Sequence, residues 1–242
     1  WKPLEINDLV EIFIDFEEDN SNIPSTKMNL DIIYEDDAFL VINKPAGIPV
    51  HPSMQHYSDS LSSGVKYYFD TLSLHKKIRP VNRIDRNTSG IVIFAKNEYI
   101  QECLIRQMKS KQFVKKYIAV VNGNLDNSVG TINAPIARKE GSIIERCVNS
   151  NGDNAITHYK VLKRTANYDI VECILETGRT HQIRVHFAHI GHSLLGDTLY
   201  GTHSDLIKRQ ALHSYEVDFI HPITKQNVKY IADIPEDLKN LL

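Results

Sequence analysis

Residues 79–96 read RPVNRIDRNTSGIVIFAK. One carboxylate, Asp85, lies between two arginines, and a small polar turn leads from it into the apolar run 91–95. The run is short and rich in β-branched and aromatic residues, which predicts a buried strand. Because nearby cations favour the ionised form of a carboxylate, Asp85 at the edge of such a strand is a candidate nucleophile. The same spacing also suits a surface Asp–Arg pair in a turn, and it does not separate the two interpretations.

Two other segments place basic residues beside turns or aromatic rings. Residues 43–52 read NKPAGIPVHP, whose prolines and glycine predict a rigid loop; Lys44 in it is either structural or faces a partner. Residues 115–123 read KKYIAVVNG, a predicted strand with Tyr117 beside two lysines. A ring next to positive charge can stack on a base and hold a nucleic-acid backbone. A tyrosine at the start of a strand is equally typical of a half-buried core.

A third segment, residues 177–186, reads TGRTHQIRVH. Thr180 is the predicted cap of a helix over 181–190, and Gly191 follows it where a left-handed residue commonly ends a helix. Arg184 falls in the first turn, where exposed backbone N–H groups attract anions. The predicted buried stripe of this helix comprises Ile183, Phe187 and Ile190.

The remaining pattern is one of many short strands and few helices. Strands are predicted around 32–34, 39–42, 130–137, 155–164, 168–177, 213–219 and 227–232. Helices are predicted over 60–70, over 97–108 with Asn97 as cap, and briefly at the C-terminal end. Strands outnumber helices without regular alternation, which predicts the α+β class with an antiparallel or mixed sheet.

Length and composition limit the possible classes of protein. The chain of 242 residues can hold one large domain, with 42% hydrophobic and 24% charged residues. No stretch is long enough to span a bilayer, and no signal-peptide pattern opens the chain. Three cysteines without metal or redox spacing indicate reduced thiols, so we expect a cytoplasmic protein. The first residue is Trp1 and not Met, so we expect a segment of a longer protein.

The net charge of −2 is unevenly distributed. Acidic residues crowd the first forty positions, whereas basic residues gather around the three segments described above. The basic positions are Arg79, Arg83, Arg86, Lys109, Lys111, Lys115, Lys116, Arg179 and Arg184. Each group by itself suits a solvated face, but together they predict an electropositive cleft.

These motifs resemble those of the pseudouridine synthases that modify ribosomal and transfer RNA, in particular the large-subunit rRNA group. That family reads HRLDRDTSG before the same strand; here Asn82, Ile84 and Asn87 differ, and the other positions match. The family also carries NKPAG and PVHP, a Lys-x-Tyr motif, TGRxHQIRVH, and later IGH and GDxLYG. This chain has each of them in the same order from about residue 30 onward.

The resemblance implies the pseudouridine synthase fold, a bent, mixed and mostly antiparallel sheet flanked by helices, with a central cleft. It places the catalytic domain at 30–242 and leaves 1–29 as an irregular lead-in. A small RNA-binding domain often precedes the catalytic domain in the family, and residues 1–29 are too short to be one. We therefore expect that domain to be absent or removed.

By the same resemblance Asp85, Tyr117 and Arg184 are catalytic: Asp85 as nucleophile, Tyr117 stacked on the flipped base and able to take the carbon-5 proton, and Arg184 paired with Asp85. The candidates for RNA contact are Arg83, Arg86, Lys44, Lys115 and Arg179. No cofactor is implied, and we expect a monomer that binds RNA and no membrane. Whether Asp85 attacks the sugar or the base stays open, as does the effect of the missing histidine at Asn82.

The histidines His181, His186, His189 and His192 are candidate metal ligands. Only His186 and His189 are neighbours on a helix, and neither a cysteine nor a carboxylate completes a tetrahedral set. We therefore expect no metal, and helix capping or contact with the RNA backbone suits these side chains better.

Three alternatives remain beside an enzyme that acts on large-subunit rRNA. Transfer RNA is the rival substrate of a pseudouridine synthase. A catalytically silent RNA-binding or ribosome-assembly protein could share the fold, but Asp85, Tyr117 and Arg184 are all present. A hydrolase using Asp85 would need a second carboxylate or a metal, and the motifs contain neither.

Overall fold

The computed structural model describes residues 3–13, 16–53 and 56–242. Its first strands and helices are β1 (Ile32–Glu35), β2 (Phe39–Lys44), α1 (Leu61–Thr71), β3 (Arg79–Pro80), β4 (Ser89–Ala95) and α2 (Glu98–Lys109). Then follow β5 (Val114–Asn122), β6 (Val129–Asn133), β7 (Ile136–Arg138), β8 (Arg146–Val148), β9 (Ile156–Arg164) and β10 (Tyr168–Leu175). The chain ends with α3 (Gln182–His189), β11 (Leu212–Ile220), β12 (Asn227–Ile231) and α4 (Glu236–Lys239).

Ten of these strands form one sheet. The order is β1-β2-β4-β11-β5-β10-β9-β6, with β3 paired to β4 and β12 to β11. Among the described residues β4 and β11 are parallel and the other pairs are antiparallel. Strands β7 and β8 form a separate small sheet. The α+β class with a mixed, mostly antiparallel sheet is confirmed, whereas the short strands β3 and β8 were not predicted.

Strand β4 is buried on both faces, as its continuous apolar sequence predicts. Val92 and Phe94 pack in the core that contains the apolar face of α1. Ile91 and Ile93 pack in a second core that contains Ile100 of α2. Helices therefore cover both faces of the sheet at β4, and the loop that precedes this strand is anchored to a buried segment.

Gly90 is required where the motif enters the sheet. It has a φ of +113°, and a Cβ there would lie 2.1 Å from the carbonyl oxygen of Ser214. Only glycine combines this backbone conformation with so close an approach of β4 and β11. Gly90 thus allows the start of β4 to pack directly against β11, its parallel neighbour.

Three helices begin close to their predicted starts. Ser60 and Asn97 cap α1 and α2 by accepting hydrogen bonds from the backbone N–H groups of Ser63 and Ile100. The prediction that Thr180 caps α3 is wrong, because the cap residue is His181, and its side chain makes no capping bond.

The C-terminal end of α3 agrees with its predicted turn but not with all of its buried stripe. Gly191 follows the helix with a φ of +86°, as predicted. Ile183 and Phe187 are buried, whereas Ile190 is 37% exposed and does not belong to the stripe.

The predicted lead-in contains no helix or strand within 3–13 and 16–29; residues 1, 2, 14 and 15 lie outside the described residues. It is nonetheless attached to the domain. Glu18 forms a buried ion pair with Arg79, and Lys76 Nζ donates to the carbonyl of Phe16 (2.7 Å). The division of the chain at residue 30 stays a prediction. In the described part of the chain, every helix is too short or too polar to cross a bilayer.

Candidate active site

The loop between β3 and β4 carries the aspartate and is fixed from within. The Asn82 amide donates to the carbonyl of Ile91 and accepts from the N–H of Ile93, both at 2.9 Å. The N–H of Thr88 donates to the carbonyl of Asp85 (3.0 Å), which closes the turn. Asn82 is buried and lies where the family has histidine, so its amide holds the loop against β4.

Lys44 fixes the same loop from the other side, and the prediction that it contacts RNA is wrong. Its side chain is fully buried, and its ammonium donates to the carbonyls of Pro45 (2.8 Å), Ile48 (2.9 Å) and Arg86 (3.0 Å). Burial lowers the pKa of Lys44 to about 7. With three carbonyls as partners, Lys44 ties two loops together and has no donor left for a ligand.

Arg184 joins the aspartate to a second carboxylate. Its Nη1 donates to Asp85 Oδ2 (3.0 Å), while Nε and Nη2 donate to the two oxygens of Asp197 (2.7 and 2.9 Å). Asp197 is 1% exposed and Asp85 is partly exposed to the cleft. A planar guanidinium held by two bonds on one side can orient a carboxylate on the other. The predicted pairing of Arg184 with Asp85 is therefore present in the structure.

Burial opposes the charge on Arg184, but the hydrogen bonds to Asp197 and the charge of Asp85 outweigh it and raise the pKa of the guanidinium above its ordinary value. Arg184 therefore stays a cation beside Asp85. Sequence reasoning gave Asp197 no role, although it belongs to the GDxLYG motif. Arg184 and Asp197 are 13 positions apart in the sequence, and their contact depends on the turn after α3.

Tyr117 begins the buried part of β5 and is 6% exposed. It lines the same cleft as Asp85 and Arg184. Burial raises the pKa of Tyr117 to about 12, with a smaller contribution in the same direction from the charge of Asp85. The hydroxyl therefore stays protonated at neutral pH, which favours an apolar contact over the removal of a proton by a phenolate.

A cleft of about 1010 Å³ surrounds these residues. It lies between the loop before β4, the end of α2, the start of β5 and the turn before α3. Of the residues predicted to contact RNA, Arg83, Arg86, Lys115 and Arg179 line it, and Lys44 does not. The structure thus brings four predicted cations together with the three predicted catalytic residues.

The lysines near β5 divide between two faces. Lys109, Lys111 and Lys115 line the cleft, and burial lowers the pKa of Lys115. Lys116 instead pairs with Glu216 (2.7 Å). Alternate side chains of a strand point to opposite faces. Three of the four lysines in the predicted basic group therefore line the cleft, and Lys116 does not.

The histidines of the third motif have separate surroundings. His186 is buried, with Nδ1 at 2.9 Å from the hydroxyl of Thr157 and Nε2 at 2.9 Å from the carbonyl of Ala134. His192 Nδ1 lies 2.9 Å from the carbonyl of Asn122. Among the residues that the structure describes, no three His, Cys, Asp or Glu side chains converge as a metal-binding group.

Comparison with known sequences places the chain among RNA-modifying enzymes. A sequence profile described as RNA pseudouridylate synthase matches residues 38–189. The chain is 42% identical over 233 residues to an uncharacterized RNA pseudouridine synthase of Bacillus subtilis, YhcT, covering 95% of this chain and 77% of that protein. It is 38% identical over 227 residues to ribosomal large subunit pseudouridine synthase D of Xylella fastidiosa, covering 88% of this chain and 68% of the relative.

Solved structures agree with the sequence comparison. The human RNA pseudouridylate synthase domain containing 1 superimposes with a TM-score of 0.71 and 27% identity, over 88% of this chain and 86% of that chain. Both the matched region and the fold include the loop with Asp85 and the helix with Arg184. The chain therefore belongs to the RNA pseudouridylate synthase family, a family of isomerases that act on RNA.

Proposed function

We propose that this protein converts uridine to pseudouridine within RNA, with Asp85 as the nucleophile. The observation that carries the proposal is the Asp85 carboxylate, partly exposed in a cationic cleft and held by Arg184 through a 3.0 Å hydrogen bond. A carboxylate beside a fixed cation stays ionised, and a nucleophile needs both charge and access. Membership of the family supplies the reaction class.

The target base has to leave its stack before it can react, at a cost of a few kcal/mol. Arg83 is exposed at the cleft and two residues before Asp85, which suits it to fill the gap that the flipped base leaves. Attack by Asp85 on the sugar or on the base leads to cleavage of the bond between N1 of uracil and C1′ of ribose, and the bonding electron pair stays on the uracil. The uracil rotates in place, and its C5 bonds to C1′ as the bond to Asp85 breaks. The C5 proton is released to water, and N1 takes up a proton from water.

The released proton provides the test. RNA labelled with tritium at C5 of uridine is incubated with the wild-type protein, and tritium in water is counted over time. We expect release together with pseudouridine in the digested product. An RNA that binds but yields neither would instead favour the catalytically silent RNA-binding protein.

Large-subunit ribosomal RNA is the substrate that we propose. Its support is the 38% identity to a relative named for that activity in Xylella fastidiosa. Strand-specific mapping of pseudouridine in cells with and without the protein tests it. Sites lost only from transfer RNA would overturn the rRNA assignment and leave the reaction intact.

We further propose that the protein acts as a monomer in the cytoplasm.

Tyr117 is proposed to stack on the flipped base. Tyr117→Ala is expected to weaken RNA binding by about 1–3 kcal/mol, the contribution of one base–aromatic stack. Tyr117→Phe keeps the ring and is expected to bind and turn over nearly as the wild type, since the hydroxyl stays protonated. Filter binding measures the RNA affinity of each variant, and tritium release measures its turnover. Slow turnover of the Phe variant with normal binding would assign a role in proton removal to the hydroxyl.

The cleft lysines are proposed to contact RNA phosphates. Changing Lys109, Lys111 and Lys115 to Ala is expected to weaken RNA binding and to reduce the slope of log K against log salt by about 0.7 for each lost phosphate contact on a single strand. Lys208→Ala is the matched control, because Lys208 is exposed and pairs with Asp205 outside the cleft. An unchanged salt slope in the triple variant would remove these lysines from the RNA path.

A further inference from the structure

His181 begins α3 in an unusual conformation. Its φ and ψ are 59° and 19°, in the left-handed region, and its side chain makes no bond to the first turn of the helix. Ser, Thr, Asp and Asn are the residues that serve this position as caps. A non-glycine residue with positive φ is uncommon in proteins. The imidazole instead lines the cleft.

A chain of hydrogen bonds assigns the proton on this imidazole. Tyr200 Oη accepts from the backbone N–H of Arg146 (2.8 Å) and lies 2.7 Å from His181 Nδ1. A phenol has one proton to donate, and Nδ1 is the acceptor within reach of it. This geometry favours the tautomer in which Nδ1 is unprotonated and Nε2 carries the hydrogen. Burial lowers the pKa of His181, which favours this neutral ring at neutral pH.

The N–H of Nε2 faces the proposed nucleophile. Nε2 lies 3.8 Å from Asp85 Oδ2, the oxygen that also accepts from Arg184 Nη1 at 3.0 Å. That distance is too long for a hydrogen bond in the free protein, and catalytic contacts commonly tighten only when substrate is bound. Among the described residues no hydrogen-bond donor reaches Asp85 Oδ1.

Tyr200 holds both groups that face Asp85. Its ring packs edge-on against the His181 ring with centroids 5.5 Å apart, and Arg184 Cζ lies 5.0 Å from its centroid. Its hydroxyl fixes the His181 tautomer as described. A single side chain thus orients a cation and an N–H donor toward one carboxylate oxygen.

We propose that His181 is a positioning residue for Asp85: Tyr200 keeps its proton on Nε2, and this N–H becomes the second donor to Oδ2 when RNA fills the cleft. Two donors on Oδ2 fix the carboxylate and leave Oδ1 free to attack. The inference rests on the proposed function of Asp85 and adds a residue to it.

The first test compares two substitutions with the same backbone requirement. His181→Leu removes the donor, and we expect kcat to fall about 10- to 100-fold, the effect of losing one hydrogen bond to a charged group, with KM nearly unchanged. His181→Gln supplies an amide N–H at a similar reach and is expected to recover most of that loss. Both variants place a branched or long side chain at positive φ, so a merely structural role would affect them alike.

The second test concerns the tautomer. ¹⁵N-histidine NMR of the wild type is expected to show His181 protonated on Nε2 only, with His181→Gln identifying its signals. Tyr200→Phe keeps the ring and removes the hydroxyl, so a mixture of tautomers and a lower kcat are expected. In the His181→Gln background the same Tyr200→Phe change should have little further effect, because an amide has no tautomer to fix.

A His181→Leu enzyme with wild-type kcat, or a wild-type His181 protonated on Nδ1, would overturn this inference. Equal losses for Leu and Gln would also overturn it, since they indicate a structural role. Failure of the proposed function is distinguishable, because the wild type would then release no tritium while the tautomer could still be read by NMR.

Discussion

An Asp85→Asn variant is expected to release no tritium above background from C5-labelled RNA, while its fold and its RNA affinity stay close to those of the wild type. The amide is nearly the same size as the carboxylate and still offers one oxygen to Arg184 Nη1, so the loop should keep its position. An amide oxygen has no full negative charge and cannot replace a carboxylate as nucleophile.

The matched control is Asp205→Asn, which removes one negative charge from an exposed site paired with Lys208. Its turnover should equal that of the wild type. Circular dichroism and RNA binding of both variants separate loss of chemistry from loss of structure. Tritium release by Asp85→Asn at a rate near that of the wild type would remove Asp85 from the reaction.

Changes at Arg184 are expected to have the second largest effect, because this side chain serves two carboxylates. Arg184→Met leaves the buried carboxylate of Asp197 without its cation, and loss of one partner of a buried pair costs about 3–5 kcal/mol of stability. Arg184→Lys keeps a charge, but a single ammonium nitrogen lacks the planar, separated donors that pair with both oxygens of Asp197 while reaching Asp85. We expect Arg184→Lys to fold and to lose most of its kcat.

RNA affinity and stability give readouts beyond activity. Arg184→Lys loses the planar guanidinium that orients Asp85, so its kcat is expected to fall while its RNA affinity stays near that of the wild type. Arg79→Lys is the matched control, since Arg79 forms a comparably buried pair with Glu18 outside the cleft. Its midpoint of chemical unfolding should fall while its kcat stays at the wild-type value. A wild-type kcat in Arg184→Lys would show that Arg184 does not orient Asp85.

Several elements were predictable because their causes are local. Residues 91–95 form a buried strand since an unbroken apolar run can be satisfied only inside a core. Asn97 caps α2 through its own side chain, and Gly191 ends α3 because glycine adopts positive φ freely. The order of the motifs also predicted the family. The strand and the two helix ends each depend on residues a few positions apart.

Predictions failed where one side chain could serve two purposes. Lys44 lies in a loop beside candidate site residues, and the sequence allows it to face solvent or the interior. In the structure two carbonyls of its own loop and one of the loop before β4 surround its ammonium, so Lys44 links these two loops inside the protein. Lys116 likewise differs from Lys115 only by the alternation of a strand, which sends it to Glu216 on the other face.

The sequence by itself determined the fold class and the family, because these follow from periodicity and from motifs of contiguous residues, and through the resemblance it proposed the aspartate, the tyrosine and the arginine as catalytic. Only the tertiary structure decided how they are held. Asp85 and Arg184 are 99 positions apart, and Tyr200 meets His181 across the turn after α3. Such contacts arise when the sheet and α3 pack around one cleft, and their directionality depends on distances of a few ångströms that no spacing in the sequence encodes.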